Sequence, residues 1–318
     1  MERQRHLSKR RFIQSPLLLV ALCLCFLALA AVARGQIVEE QKLKTDDPAL
    51  PEMHFFIRLP QGANGESLPV KRVWILFTYL SKAEDLRKLL NGEGMGKWVL
   101  PFADEQQLAI ISGTTKTVYR IDKSEDEMQK EERKAQNERF EGLSRTVFKA
   151  IAIFSIKQKL PRTPYLLSGS SRGGQWAHRM GLEAPERFLA VHADINSSFD
   201  EPTEKGKSPF WLITTGELEW GYKAAIRFYQ KSREMGYSIF FKALPKVGHS
   251  VDPRNIQLGF EFFRYAIAME EREDRYNGFW NPPFYGDLLN QSVMEDQEEI
   301  PERLRVPLPT ESIRNLWR

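Results

Sequence analysis

The sequence predicts an α/β fold: a mostly parallel sheet of about eight strands with helices on both faces. Three observations carry this. Short apolar runs alternate with helix-period segments from about residue 53 to residue 268. Several of those runs, such as VWILFTYL at 73–80, are nearly continuous rather than alternating, as strands buried on both faces must be. No cysteine follows Cys25, so no disulfide framework supports the chain. A body of about 280 residues is large enough to be stable without one.

The elements follow in order. Residues 53–59 read as a strand, 62–65 as a hairpin loop and 73–80 as a buried strand. A helix over Ala83–Leu90 and another near 98–106 precede a strand at 108–112. Residues 123–141 carry twelve charges of mixed sign, which predicts a solvated helix. Its continuation is amphipathic, with Leu143, Val147, Ile151 and Phe154 on one face. Strands are expected at 165–168, 188–195, 210–215 and 238–244. Helices are expected from about Arg172, over 222–235, and through Ile256, Phe260, Phe263 and Ile267. Sequential strands joined through helices imply parallel pairing. No internal repeat is present.

The formal charge of +4 is located at one end. Residues 1–33 contain Arg3, Arg5, Lys9, Arg10 and Arg11 against Glu2, so they account for all of it. The remainder is neutral, and nucleic acid is not expected as a partner. After the basic stretch, residues 16–33 carry no charge and end in Ala31-Val32-Ala33, the pattern of a secretory signal. The same run is close to a short membrane span, so an uncleaved anchor is the alternative. Either way the folded part is expected outside the cytosol, secreted or periplasmic. Cys23 and Cys25 lie within this run, preceded by Leu22 and Leu24 rather than the small residues of a lipoprotein site. Thiol catalysis and cysteine-ligated metals are thereby excluded from the mature part. Residues 34–50 are polar and read as a flexible leader.

The strand at 165–168 runs directly into Gly169-Ser170-Ser171-Arg172-Gly173-Gly174, a G-x-S-x-G pattern centred on Ser171. A strand that turns at once into a helix holds its middle residue in a strained conformation, and glycines two positions away prevent collision. The hydroxyl then projects beside a helix N-terminus, where backbone N–H groups can stabilise an oxyanion.

Such a hydroxyl needs a base. Of five histidines, His6 is in the targeting segment, while His54, His178 and His192 sit in a strand, a helix and a buried strand. Those three read as packing or surface residues. His249 follows the strand at 238–244 in a loop, where a base serving the sheet's carboxyl end must lie. The strand at 210–215 ends in Gly216-Glu217-Leu218-Glu219-Trp220. Glu219, further past the strand end, is the favoured third member because a turn can direct it back to His249. Glu217 is the alternative acid, with Asp194 and Asp200 as more distant ones.

The order Ser171, Glu219, His249 resembles the α/β-hydrolase superfamily over about residues 70–268. Within it, the chain looks like exported esterases of the polyhydroxybutyrate-depolymerase, feruloyl-esterase and dienelactone-hydrolase-like group. The matching residues are Gly169–Gly174 with Gln175, the Gly216-Glu217-Leu218-Glu219 loop and Gly248-His249-Ser250. The resemblance implies Ser171 as nucleophile, Glu219 as acid, His249 as base and the Arg172 N–H as one oxyanion donor. Members usually carry His-Gly after the strand equivalent to 73–80, where this chain reads Thr78-Tyr79-Leu80-Ser81. The second donor would then come from Tyr79 or Leu80.

The implied organisation is a signal or anchor at 1–33, a leader at 34–50, a hydrolase domain at 51–270 and a C-terminal extension at 271–318 packing on it. The implied activity is hydrolysis of a small-molecule or polymer-derived ester, with no cofactor and no metal. A serine peptidase of the same fold, and a weakly catalytic relative serving as a binding or surface protein, are the competing readings. The run Gly92-Glu93-Gly94-Met95-Gly96-Lys97 has the wrong spacing for a phosphate loop, and no H-E-x-x-H occurs. Asn196-Ser197-Ser198 and Asn290-Gln291-Ser292 are sequons, relevant only to a eukaryotic secretory route. Trp220 and Trp280 are candidate pocket aromatics for an aromatic or sugar ester; the plainer reading is that these aromatics pack the C-terminal extension onto the domain.

Overall fold

A computed structural model of the chain describes residues 37–47, 50–115, 130–272, 282–294 and 299–318. The apolar runs form the sheet: β1 (Ile37–Lys44), β2 (Glu52–Arg58), β3 (Arg72–Phe77), β4 (Leu108–Gly113), β5 (Tyr165–Ser170), β6 (Phe188–Asp194), β7 (Phe210–Gly216) and β8 (Ile239–Leu244). Their spatial order is β1-β2-β4-β3-β5-β6-β7-β8. The pairs β1/β2 and β2/β4 are antiparallel, and every pair from β4 to β8 is parallel. Every residue of β3, β4, β6, β7 and β8 is buried. That burial explains why these runs do not alternate.

Seven α-helices are described: α1 (Ala83–Leu90), α2 (Gly96–Glu105), α3 (Lys130–Gln158), α4 (Arg172–Glu183), α5 (Tyr222–Glu234), α6 (Pro253–Glu270) and α7 (Glu311–Trp317). Trp74 of β3 packs edge-on against Phe102 of α2 and Phe260 and Phe263 of α6, which cover one face. Three residues along β3, Phe77 meets Trp176 of α4, which also meets Phe140 of α3 on the opposite face. Leu143, Val147, Ile151 and Phe154 are all buried there, so the stripe read in the sequence faces the sheet.

Residues 37–44, expected within a flexible leader, instead form β1 at the sheet edge. The local sequence IVEEQKLK is polar because an edge strand has one solvated side. Glu39 pairs with Lys157 of α3, and Glu40 with His54 of β2 and Arg87 of α1. Those partners are distant in sequence, which is why the strand escapes local reading. The signal or anchor segment and Trp280 lie outside the described residues, as does the first part of the charged run; residues 130–141 of that run are helical. No helix among the described residues is long and apolar enough to cross a membrane.

The C-terminal part carries structure of its own. Strands β9 (Phe284–Asp287), β10 (Val293–Met294) and β11 (Arg305–Leu308) make a small antiparallel sheet in the order β10-β9-β11. Helix α7 then returns to the main sheet: the Trp317 indole donates to the Phe241 carbonyl at 2.7 Å, and the buried Lys242 ammonium donates to the Trp317 carbonyl. Tyr229 of α5 donates its hydroxyl to the Arg305 carbonyl at 2.7 Å. These contacts seat the extension beside β8.

Candidate active site

β5 leads into α4 with a single residue between them, Ser171, at φ 55° and ψ −119°. A positive φ is unfavourable for a residue with a β-carbon, so the surroundings must enforce it. The Ser171 N–H donates to the Asp194 carbonyl at 2.9 Å, and the Ser171 carbonyl accepts from the Gln175 N–H at 3.1 Å. The flanking glycines are required by close backbone approach. A β-carbon on Gly169 would lie 2.0 Å from the Gly173 carbonyl oxygen, and one on Gly173 would lie 2.4 Å from that of Phe77.

The Ser171 hydroxyl lies 2.8 Å from His249 Nε2. His249 Nδ1 lies 2.8 Å from Glu219 Oε2. A carboxylate only accepts, so Nδ1 carries the proton and Nε2 accepts from the serine. The Glu219 side chain is fully buried, whereas the His249 side chain is 42% exposed. Burial raises the Glu219 pKa above its ordinary value; the adjacent His249, the Gly221 N–H and Trp220 oppose that rise. A buried acid, a half-open imidazole and a serine are thus aligned to accept and return one proton.

The loops that carry Glu219 and His249 are tied together. The Glu217 N–H donates to the Leu244 carbonyl at 3.0 Å, and the Leu218 N–H to the Val247 carbonyl at 2.8 Å. A turn closed by the Glu219 N–H and the Gly216 carbonyl, 3.1 Å apart, brings Glu219 back toward His249. Glu217 points elsewhere: it is exposed and accepts the Lys246 N–H at 3.0 Å. Asp200 pairs with Arg179. Asp194 bonds with Ser170, Thr214 and Asn255.

The remaining histidines occupy structural positions. His54 is half-buried between Glu40 and Glu52. His178 accepts the Asp200 N–H at 2.9 Å inside an aromatic cluster, and its burial pushes its pKa down to about 4. His192 is buried beside Thr214, and burial pushes its pKa down to about 3.

Strand β3 leaves the sheet beside the N-terminus of α4. There the Leu80 N–H is engaged by the Thr78 hydroxyl at 3.1 Å, and the Thr78 carbonyl accepts from Thr115 Oγ1 at 2.9 Å. The Arg172 guanidinium donates to the Tyr79 carbonyl at 3.4 Å and to the Thr115 carbonyl at 3.2 Å. Tyr79, Leu218 and Trp220 are exposed, and the Trp220 ring stands edge-on to His249 at 6.0 Å. Among the described residues, no cluster of three or more histidine, cysteine or acidic side chains is placed to hold a metal ion. The glycine run at 92–96 forms the turn between α1 and α2, with Gly92 at φ 91° and Gly94 at φ 56°.

The parallel part of the sheet thus sends out a serine after β5, a glutamate after β7 and a histidine after β8, and the three meet at its carboxyl end. This is an α/β-hydrolase fold.

No family model matches the chain, and no curated protein sequence does. Solved structures resemble it at low identity. An S-formylglutathione hydrolase from Staphylococcus aureus is 11% identical, with 72% of this chain and 95% of that chain covered at a TM-score of 0.44. A ferulic acid esterase is 14% identical, with 74% and 95% covered at 0.45. Esterase PE8 is 20% identical, with 70% and 99% covered at 0.47.

Proposed function

We propose that this chain is an exported serine hydrolase that cleaves carboxylic esters through a covalent acyl-enzyme. The observation that carries the reading is the pair of 2.8 Å contacts, Ser171 to His249 and His249 to Glu219, built on a residue held at φ 55°. In the first half-reaction Ser171 Oγ attacks the ester carbonyl carbon and its proton passes to His249 Nε2. Glu219 stabilises the imidazolium so formed. The oxyanion faces the Arg172 N–H at the head of α4. Because the Leu80 N–H is engaged by Thr78, the Tyr79 N–H is assigned as the second donor. Collapse breaks the ester C–O bond, and the departing alkoxide takes the proton from His249. Water then attacks the acyl-serine, gives its proton to His249, and releases the acid as Ser171 recovers that proton.

The exposed Trp220, edge-on to the His249 ring at 6.0 Å, gives the site an apolar wall, which favours an ester with apolar surface over a charged peptide. Comparing p-nitrophenyl esters with peptide anilides tests this directly. Ester turnover lost in Ser171→Ala is expected. Preferential anilide cleavage would instead favour the peptidase reading, and no turnover of either class would favour a binding protein. Export belongs to the same proposal: N-terminal sequencing of the mature protein from its host is expected to begin between residues 34 and 37. A full-length form retained in membranes would favour the anchor.

A further inference from the structure

Beneath the Ser171 turn lies a buried polar group that the proton relay does not use. Asp194, the last residue of β6, is 2% exposed. Its Oδ1 accepts from the Thr214 hydroxyl at 2.7 Å and the Asn255 amide at 3.0 Å, and its Oδ2 accepts from the Ser170 hydroxyl at 3.1 Å. Its backbone carbonyl accepts the Ser171 N–H at 2.9 Å. The next residue, Ile195, is at φ 43°, a rare conformation for a β-branched side chain, and its N–H donates to the Thr214 carbonyl at 2.8 Å. Gly174 of α4 is forced close to the same point, since a β-carbon there would stand 2.6 Å from the Asp194 carbonyl oxygen. The backbone around Asp194 is therefore over-determined, and what it determines is the approach to Ser171.

Asn255 gives this cluster its reach. It stands in the first turn of α6, six residues after His249, and is buried. One carboxylate thus joins the strand that delivers the nucleophile, the strand that delivers the acid and the helix that anchors the loop carrying the base. We propose that Asp194 is a positioning residue, whose carboxylate holds the Ser171 turn and the His249 loop in the register that makes their contact. The inference rests on the hydrolase reading above.

The groups facing Asp194 from each packed element are few. Ser170 of β5, Thr214 of β7 and Asn255 of α6 are uncharged. His192 of β6 is neutral and hydrogen-bonded to Thr214 Oγ1 at 2.7 Å. Since the Thr214 hydroxyl donates to Asp194, His192 Nε2 is the donor in that contact. Asp252 ahead of α6 is the charged neighbour; its like charge disfavours ionisation, and it is paired with Arg254. Burial first, then Asp252, pushes the Asp194 pKa up to about 6 against the three hydrogen bonds that favour the anion. Three donors converge on two oxygens. A proton on the carboxyl turns one oxygen into a donor, so the hydrogen bond at that oxygen must reverse or break. The register therefore loosens as pH falls through the Asp194 pKa.

The test is the rate at which a fluorophosphonate labels the full-length protein, followed by intact mass from pH 5 to pH 9. Asp194→Asn and Asn255→Leu are each compared with the unsubstituted protein, alongside thermal melts. Labelling of Asp194→Asn at pH 8 is expected to slow roughly 10²-fold, the scale of an ångström-sized misplacement. Asn255→Leu is expected to slow it as well while leaving Asp194 in place. On a short-chain ester, kcat is expected to fall with KM within about twofold, which a general loss of packing would not produce. The acid limb of the unsubstituted protein is expected to contain a proton step near pH 6 that Asp194→Asn lacks. Should Asp194→Asn fail to fold, Asn255→Leu with Thr214→Val carries the same comparison. Variants that label at the unsubstituted rate with an unchanged pH profile overturn the inference and leave the hydrolase reading standing. Loss of kcat accompanied by an equal rise in KM and a collapsed melt also overturns it. Unsubstituted protein that takes no label overturns both.

Discussion

Replacing Glu219 by glutamine tests the least obvious member of the relay. The substitution keeps the shape of a fully buried side chain 2.8 Å from His249 Nδ1 and removes its charge. Two losses follow. The amide can present its NH₂ to Nδ1 and hold the imidazole in the tautomer whose Nε2–H cannot accept the serine proton. It also cannot stabilise the imidazolium. Two opposite charges about 4 Å apart at an effective dielectric of about 20 interact by about 4 kcal/mol. At about 1.36 kcal/mol per tenfold in rate, that is roughly 10³ in kcat. The tautomer loss extends the range toward roughly 10⁴, the size of the corresponding change in serine proteases. The half-exposed imidazole ring argues for the lower end, because solvent screens part of the pair. The assay is hydrolysis of a short-chain p-nitrophenyl ester above pH 7, with Glu217→Gln in parallel. Glutamine at 217 can still accept the Lys246 N–H, so its cost is expected to be small. A crippled Glu217→Gln beside a silent Glu219→Gln would refute the assignment of the acid. Two silent substitutions would refute the role of this loop altogether.

Three further outcomes are expected. Ser171→Ala leaves a folded protein without ester hydrolysis, whereas Ser170→Ala is far milder, because Ser170 donates only one of the three bonds to Asp194; parallel turnover assays check this. Gly169→Ala and Gly173→Ala each drive a β-carbon into backbone atoms and are expected to lower the denaturation midpoint and abolish turnover together. Asp194→Asn is expected to change the pH dependence of stability with a defined sign. The folded-state pKa is raised from 3.8 to about 6, so the favourable contribution is complete below the ordinary value and lost as pH rises through about 6. The total is roughly 3 kcal/mol, of which roughly half disappears between pH 5 and pH 8. Urea denaturation at those two pH values is therefore expected to shift in favour of the variant at the higher one.

Much of this architecture is legible locally, and the exceptions share a physical cause. Helix α1 occupies the predicted residues, because amphipathic spacing and a following Gly92 at positive φ mark it without reference to anything distant. The choice of Glu219 over Glu217 follows from how far each lies past its strand, a local property of a turn that the Gly216 carbonyl closes. Strand β1 is not legible this way. Its polar sequence is consistent with a leader until β2 supplies the pairing and Lys157 and Arg87 supply the charges. The small sheet of β9, β10 and β11 is hidden for the same reason: strands of two to four residues carry too little periodicity. Asp194 is visible in the sequence only as a distant alternative acid. Its bonds run to Ser170, Thr214 and Asn255, residues separated from it by 24, 20 and 61 positions. Only the assembled sheet brings them to one carboxylate.

The proposed function places a covalent acyl intermediate on Ser171. It is tested most directly by mixing stoichiometric protein with a p-nitrophenyl ester, quenching with acid within milliseconds, and sequencing the peptide that spans residues 165–179 by mass spectrometry. One acyl group per chain is expected, carried on Ser171, absent from Ser171→Ala and trapped to a higher level in Glu219→Gln if deacylation is slowed more than acylation. An acyl group found on Ser170, or release of p-nitrophenol at full rate with no modified peptide, contradicts it.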